Sequence, residues 1–332
     1  MNGTHETVVL TYHFPFNLSR NNVNANLMFA EAQTIANYAV ENKHRRKTLS
    51  TSEIKRVFVP SAIANQILRK YSNKTIKVAN NVHLIIPNQS IKYDGENIRV
   101  KCLDLTIPWR SGKIITKINQ IEIHKDHIYI CVSVKIPNVV ESINVIGVDL
   151  NTTHHMAVVS DIQSGKIWKL DKQTMNMRKG YQTKRQKAQK CSNWRVLKDM
   201  RKREQNIARD NNHKLVNKII DIAEETKSSI AIEDLTNIRI NTVHKSNKKT
   251  RRATNSWSFS QFRFFLEYKC KLRGINLHVV DPAYTSQMCS KCIHIGQRDK
   301  KMFHCHVCGH HDHADVNAGF NIARRAITTS NH

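Results

Sequence analysis

No stretch of the 332 residues approaches the ~20 consecutive apolar residues that a membrane-spanning helix needs. The first fourteen residues, MNGTHETVVLTYHF, contain no basic segment followed by a long apolar run, so a signal peptide is not expected. Glycine and proline are scarce, at 10 and 6, which excludes a collagen-like chain. With 40% hydrophobic residues, wholesale disorder is excluded as well. Acidic residues are under-supplied, with 26 Asp+Glu against 53 Lys+Arg, leaving a net charge of +27. Such an excess calls for a polyanionic partner, and nucleic acid is the commonest one. The plainer alternative is charge kept for solubility. An anionic membrane surface fits less well, because no basic amphipathic helix stands out. The length suggests two or three domains, each with its own core.

The charge is focused. Residues 166–209 hold 15 basic and 3 acidic residues, and residues 239–252 (RINTVHKSNKKTRR) hold 6 basic and none acidic. The remainder of the chain after residue 144 is balanced. The patterning divides near residue 142. Before it, a strand is expected at 7–14, helices at about 22–42 and 52–71, and short alternating strands from 75 to 137, beginning with TIKVA. This is a β-rich barrel or sandwich with a helical insertion at about 22–72. After it, INVIGVDLN (143–151) reads as a buried strand ending in an acid, followed by strands at 154–161 and 166–170. Two long basic helices are expected over 180–226, then a strand at 228–235 and a helix at 257–274 with Gly274 as its C-cap. A strand at 275–282 and a terminal helix at 315–326 follow. The 239–252 stretch reads as a mobile basic loop.

The eight cysteines fall into two groups. Cys102, Cys131, Cys191 and Cys270 are scattered and read as small buried hydrophobes. Without a secretory signal, disulfides are not expected. Cys289, Cys292, Cys305 and Cys308 form two C-x-x-C pairs, CSKC and CHVC, separated by 12 residues. Each pair lets two thiolates meet one ion, and two pairs complete a closed, structural tetrahedral Zn²⁺ site. A thioredoxin-like redox pair is the alternative, and two tandem pairs argue against it. His304, His306, His310, His311 and His313 crowd the cluster. One of them could replace a thiolate, but solvated or phosphate-facing histidines are the simpler reading.

A second pattern is a set of acids at strand or helix ends: Asp149, Glu233 and Asp315. Taken singly, each could be a capping or surface acid. The element order is three antiparallel strands, then helix, strand, helix, strand and helix. That is the RNase H-like α/β order, in which the first and fourth strands are neighbours. It would bring an acid from each of those strands together with one from the final helix. Such a cluster repels itself unless it holds divalent cations, and hard oxygen donors suit Mg²⁺ or Mn²⁺ rather than Zn²⁺. Two such ions would serve hydrolysis of a phosphodiester. Asp234, Asp281 and Asp312 are rival acids. Asp234 follows Glu233 and so points to the opposite strand face. Asp281 ends a strand before Pro282, and Asp312 sits beside the cysteine cluster.

GVDLN, IAIEDL, WSFSQFRFFLEYKCKLRG, VDPAYTSQMCSKC and FHCHVCGHHDHADVNAGFNIARR, in this order over 143–328, resemble the TnpB (OrfB) family of transposon-encoded proteins, related to the type V CRISPR effectors. Asn151 stands where that family often has glycine. The resemblance implies an RNA-guided, Mg²⁺-dependent DNA endonuclease. Its RuvC-type (RNase H-like) nuclease domain would occupy 143–285 and 313–332. A four-cysteine zinc ribbon at 286–312 would be inserted in it, and a wedge-like β-rich domain would span 1–142. It further implies that Asp149, Glu233 and Asp315 hold two Mg²⁺ or Mn²⁺ ions, with Asp149 bridging them, and that Cys289, Cys292, Cys305 and Cys308 hold one Zn²⁺. The partners it implies are a guide RNA and target DNA, with the protein a monomer on its RNA in a prokaryotic cytoplasm. Two alternatives remain open: a nucleic-acid-binding protein without cleavage, acting as a repressor, or a transposase. No Tyr or Ser is placed as a covalent nucleophile, which disfavours covalent recombination.

Overall fold

The computed structural model describes residues 6–20, 22–45, 48–151, 154–236 and 259–330. The basic stretch 239–252 lies outside them. The chain forms two compact units, Met1–Ile136 and Pro137–His332.

In the first unit, alternating β-branched residues give an antiparallel sheet in the order β1 (Thr7–Pro15), β7 (His127–Lys135), β6 (Ile115–Ile123), β2 (Leu84–Pro87). A smaller sheet is formed by β3 (Ile91–Tyr93), β4 (Asn97–Val100) and β5 (Leu105–Pro108). The expected helical insertion consists of α1 (Ala25–Glu41) and α2 (Ser61–Tyr71), and α2 packs against both α1 and β2. TIKVA (75–79) is not a strand. Its alternation mimics one, but the backbone of Ala79 is bonded by α1 side chains. The Ala79 N–H donates to Asn37 Oδ1 at 2.8 Å, and Gln33 Nε2 donates to the Ala79 carbonyl.

The second unit is built on a five-stranded sheet ordered β10 (Ile167–Leu170), β9 (Ala157–Asp161), β8 (Asn144–Leu150), β11 (Ser228–Glu233), β12 (Leu277–Val280). The first three strands are antiparallel, and β11 runs parallel to both β8 and β12. Because side chains alternate along a strand, β8 and β11 each present two faces. Ile146, Val148, Ile230 and Ile232 pack against α4 (Trp194–Glu225) and α5 (Phe259–Arg273), through Leu215, Ile219, Phe262 and Leu266. Val145 and Ala231 face the other way, onto Ile322 and Ala323 of α6 (Ala314–Ser330). Gly274, in the left-handed conformation, ends α5 as expected.

The basic helices run over α3 (Lys172–Lys190) and α4, so the first begins eight residues earlier than its periodicity suggested. Its start is set by Asp171, whose carboxylate accepts the N–H and the hydroxyl of Thr174. Thr174 and Met175 alone among α3 residues are buried, so an apolar period is absent. In α4, burial begins at Asn211, leaving the first half of the helix solvated.

Helix α6 lies directly on β8 because both carry glycine at the crossing. A Cβ on Gly147 would sit 1.9 Å from the Gly319 carbonyl oxygen and 2.7 Å from the Ala323 nitrogen. Backbone cannot yield as a side chain does, so Gly147→Ala should cost about 3 kcal/mol or more. Gly180, in α3, has open space around its Cα, and Gly180→Ala should stabilise by about 0.5–1 kcal/mol. Thermal unfolding of both variants checks this, and an unchanged midpoint for Gly147→Ala would refute the contact.

Candidate functional site

Strand parity decides which acids can meet. Asp149 shares the parity of Val145 and Gly147, and Glu233 that of Ala231, so both face α6 rather than α4 and α5. The parallel register pairs Ile232 with Val148, and Glu233 and Asp149 come one residue further along their strands. Asp315 arrives from the first turn of α6, where the positive end of the helix dipole favours a carboxylate. Asp149 and Asp315 are buried, at 9% and 4% exposure.

Like charges gathered on one face of the sheet raise the protonation of Asp149. Burial pushes the Asp149 carboxyl well above its usual range, and the charges of Glu233 and Asp315 push in the same direction. Glu233 is also raised by burial, and a hydrogen bond donated by the Thr285 hydroxyl holds it back. A chain of contacts offsets part of the repulsion. Asn151 Nδ2 donates to Asp149 Oδ2 at 3.0 Å. Lys301 Nζ donates to Asn151 Oδ1 at 2.9 Å and to both oxygens of Asp315 at 2.7 and 2.6 Å. Asn151, a departure from the family motif, thus joins Asp149 to Lys301. The carboxylates are hard oxygen donors that could hold divalent cations.

The rival acids are placed elsewhere. Asp234 pairs with Arg263 of α5 at 3.0 Å, on the opposite side of the sheet. Asp281 accepts the Ala283 N–H, although its charge still reaches Glu233. Asp312 accepts the N–H of His313 at 2.6 Å, within the three-stranded ribbon sheet of β13 (Gln297–Asp299), β14 (Met302–His304) and β15 (His311–His313).

The four cysteines Cys289, Cys292, Cys305 and Cys308 converge, with their sulfurs within 4.8 Å of one another. Cys289 Sγ lies 3.6 Å from Cys308 Sγ, and Cys292 Sγ lies 3.4 Å from Cys305 Sγ. They are close enough to share one tetrahedral ion with bonds of about 2.3 Å. Each pair sits in the same kind of turn. The residue after the second cysteine, Ile293 or Gly309, takes a left-handed conformation, and the N–H of each returns to the carbonyl of the first cysteine at 3.0 Å. N–H groups of Cys308 and Val307 hold the Cys305 thiol down at about 6. Of the neighbouring histidines, His304 stacks on His311 and His306 contacts Gln297, outside the sulfur cluster.

Sequence reasoning missed the residues that tie these two clusters together. Asn317, Asn321 and Arg325 follow one face of α6 at four-residue spacing. Asn317 Oδ1 accepts the Ser290 N–H at 2.8 Å, and its Nδ2 donates to the Met288 carbonyl at 2.7 Å. Asn321 donates to the carbonyls of Thr285 and Met288, and Arg325 to those of Asp281 and Ala283. The i, i+4, i+8 run of Asn317, Asn321 and Arg325 was the available signal.

The raised Asp149 carboxyl sets a sign for stability. A carboxyl easier to protonate when folded destabilises the fold once charged. The penalty is absent below the unfolded value of about 4, grows as pH rises through the folded value, and persists above it. At neutral pH, in buffer free of divalent cations but with zinc retained, Asp149→Asn should raise the melting temperature by roughly 2–4 °C, as about 1 kcal/mol would. The gain should shrink towards about pH 4. A lower melting temperature at neutral pH would contradict the assigned repulsion.

Residues 259–322 match the family model of the Cas12f1-like TNB domain. A TnpB-like protein of Methanocaldococcus jannaschii is 30% identical over 228 residues, covering 66% of this chain and 81% of that protein. A CRISPR-associated endodeoxyribonuclease Cas12f1 of Sulfoacidibacillus thermotolerans is 33% identical over 131 residues, covering 38% of this chain and 29% of the relative. A solved Cas12f1–sgRNA–target DNA complex superposes with a TM-score of 0.47 at 16% identity, over 96% of this chain and 99% of that one. With four-fifths of the archaeal protein matched at that identity, the chain belongs to the TnpB-like family.

Proposed function

We propose that this protein is an RNA-guided DNA endonuclease encoded by a transposable element, cutting at a RuvC-type site formed by Asp149, Glu233 and Asp315. The observation that carries the reading is the convergence of these three acids, from two parallel neighbouring strands and one helix start, on one buried face. The sheet order supports an RNase H-like nuclease domain over 143–285 and 313–332, with the ribbon at 286–312 inserted before its last helix. Residues 1–142, with the helices at about 22–72, take the wedge and recognition role. The name of the Sulfoacidibacillus relative, an endodeoxyribonuclease, supports DNA as the substrate.

The donor sets fit two kinds of ion. Asp149, Glu233 and Asp315, whose charges act on one another at Asp149, would hold Mg²⁺ or Mn²⁺, and Cys289, Cys292, Cys305 and Cys308, whose sulfurs lie within 4.8 Å of one another, a structural Zn²⁺. Held there, two Mg²⁺ would supply an activated water and stabilise the leaving 3′-oxygen of a phosphodiester. The chain's own residues orient the acids: Asn151 fixes the Asp149 carboxylate, and the Thr285 hydroxyl fixes Glu233. Lys301 offsets the charge of Asp315, and it presents an ammonium where a phosphate would approach. The solvated basic faces of α3 and α4 would track the backbone of guide or target, leaving sequence to base pairing. The working unit is a monomer with its RNA in a prokaryotic cytoplasm.

The test is purification with co-bound RNA, sequencing of that RNA, and incubation with matching target DNA and Mg²⁺. A defined RNA and target-dependent cutting are expected. Asp149→Ala should lose at least ~10³-fold in rate while retaining RNA and target binding. Cutting that survives Asp149→Ala removes the assigned site. RNA-free protein with DNA binding of steep salt dependence would favour an unguided repressor instead.

A further inference from the structure

The first unit brings together a third group of metal-ligating side chains, unrelated to the acids or to the cysteines. His83 stands immediately before β2, Glu122 is the penultimate residue of β6, and His124 follows that strand's end. The antiparallel register pairs Leu84 with Ile123, so the next residues out, His83 and His124, lie side by side at one end of the sheet. Their rings stack with centroids 3.3 Å apart and planes 23° from parallel. The Glu122 carboxylate reaches the same spot, with Oε2 3.5 Å from His83 Nδ1. One ligand atom from each of the three residues lies within 4.8 Å of the others.

Two ring nitrogens there lack an ordinary hydrogen bond. His124 Nε2 is buried with no hydrogen-bond partner among the described residues, and the buried His83 Nδ1 has only the Glu122 carboxylate beside it, 3.5 Å away. Buried nitrogens are ordinarily bonded, and two on adjoining rings call for an explanation. A shared ion would satisfy both. Glu122 is already positioned as a ligand: Gln120 Nε2 donates to its Oε1 at 2.8 Å, and Lys70 Nζ donates to both oxygens at 3.0 Å. A carboxylate has lone pairs beyond those such donors use, and ligating carboxylates are commonly oriented in this way.

We propose that His83, Glu122 and His124 form a binding site for a divalent transition ion of the zinc class. Two imidazoles exclude Mg²⁺ and Ca²⁺ as preferred occupants, and the absence of thiolate or thioether donors among the three disfavours Cu(I). Three protein donors leave a fourth position for water. The ion would pin the entry of β2 to the β6–β7 hairpin, so its role would lie in holding that end of the sheet.

The experiment uses the full chain with its ribbon zinc retained, in millimolar Mg²⁺ to fill the acidic cluster. After equilibration with micromolar free Zn²⁺, metal content is measured by mass spectrometry. The wild type should carry about one more zinc ion per chain than His83→Gln or Glu122→Gln. His311→Asn, which alters the stacked ribbon histidines, should match the wild type. Equal zinc content in the wild type and both site variants, or loss of the extra ion in His311→Asn alone, would overturn the proposal. Should either site variant fail to fold, Co²⁺ substitution of the wild type decides. A second equivalent should add d–d absorption without further thiolate charge transfer, and absence of that second spectrum rejects the site.

Discussion

Mutual repulsion among Asp149, Glu233 and Asp315 is the constraint around which the second unit is arranged. Burial drives Asp149 and Glu233 towards the neutral form, the charges of Glu233 and Asp315 push Asp149 further the same way, and hydrophobic packing offers no relief. Relief comes from polar contacts, one of them local, Asn151 just beyond β8, and two from further along the chain, Thr285 beyond β12 and Lys301 on the ribbon hairpin. Each donates to a carboxylate or to another member of the same chain of bonds.

Holding the third acid in place is the task of one polar face of the terminal helix. Helix α6 buries Ile322, Ala323 and Ala326 against the sheet, and the glycine pair at 147 and 319 brings it to backbone contact with β8. Along another face, Asn317, Asn321 and Arg325 bond the backbone of residues 281–290. That segment carries Thr285 and the first of the four clustered cysteines, Cys289. Acid cluster and cysteine cluster are thereby fixed to one helix, and neither can shift by much without the other.

What could be read from the chain and what could not divide along sequence separation. The cysteine pairs declare themselves because each is local, with only two residues between its members. The acids emerge because a strand that is apolar until its last residues, as in VIGVDL and IAIEDL, marks its carboxyl end. Lys301 was invisible: a lysine in a turn of a basic chain carries no signal, and its partners are 14 and 150 residues away. His83 and His124 were invisible for the same reason, since only the register of β2 against β6 joins them. The start of α3 escaped because a solvated helix has no apolar period. TIKVA misled in the opposite direction, its alternation satisfied by Asn37 and Gln33 rather than by a neighbouring strand.

The α3–α4 hairpin has a further property. Helix α4 spans 32 residues, and its buried positions begin only at Asn211. At about 1.5 Å per residue, the part before them is an arm of roughly 25 Å carrying an exposed Trp194 at its tip. No core residue records how long that arm is. Whole turns could be added to or removed from both helices together, and the sheet, the acids and the ribbon would be unaffected. Reach is therefore decoupled from the chemistry: the length of the arm and the geometry of the centre are set by separate parts of one chain.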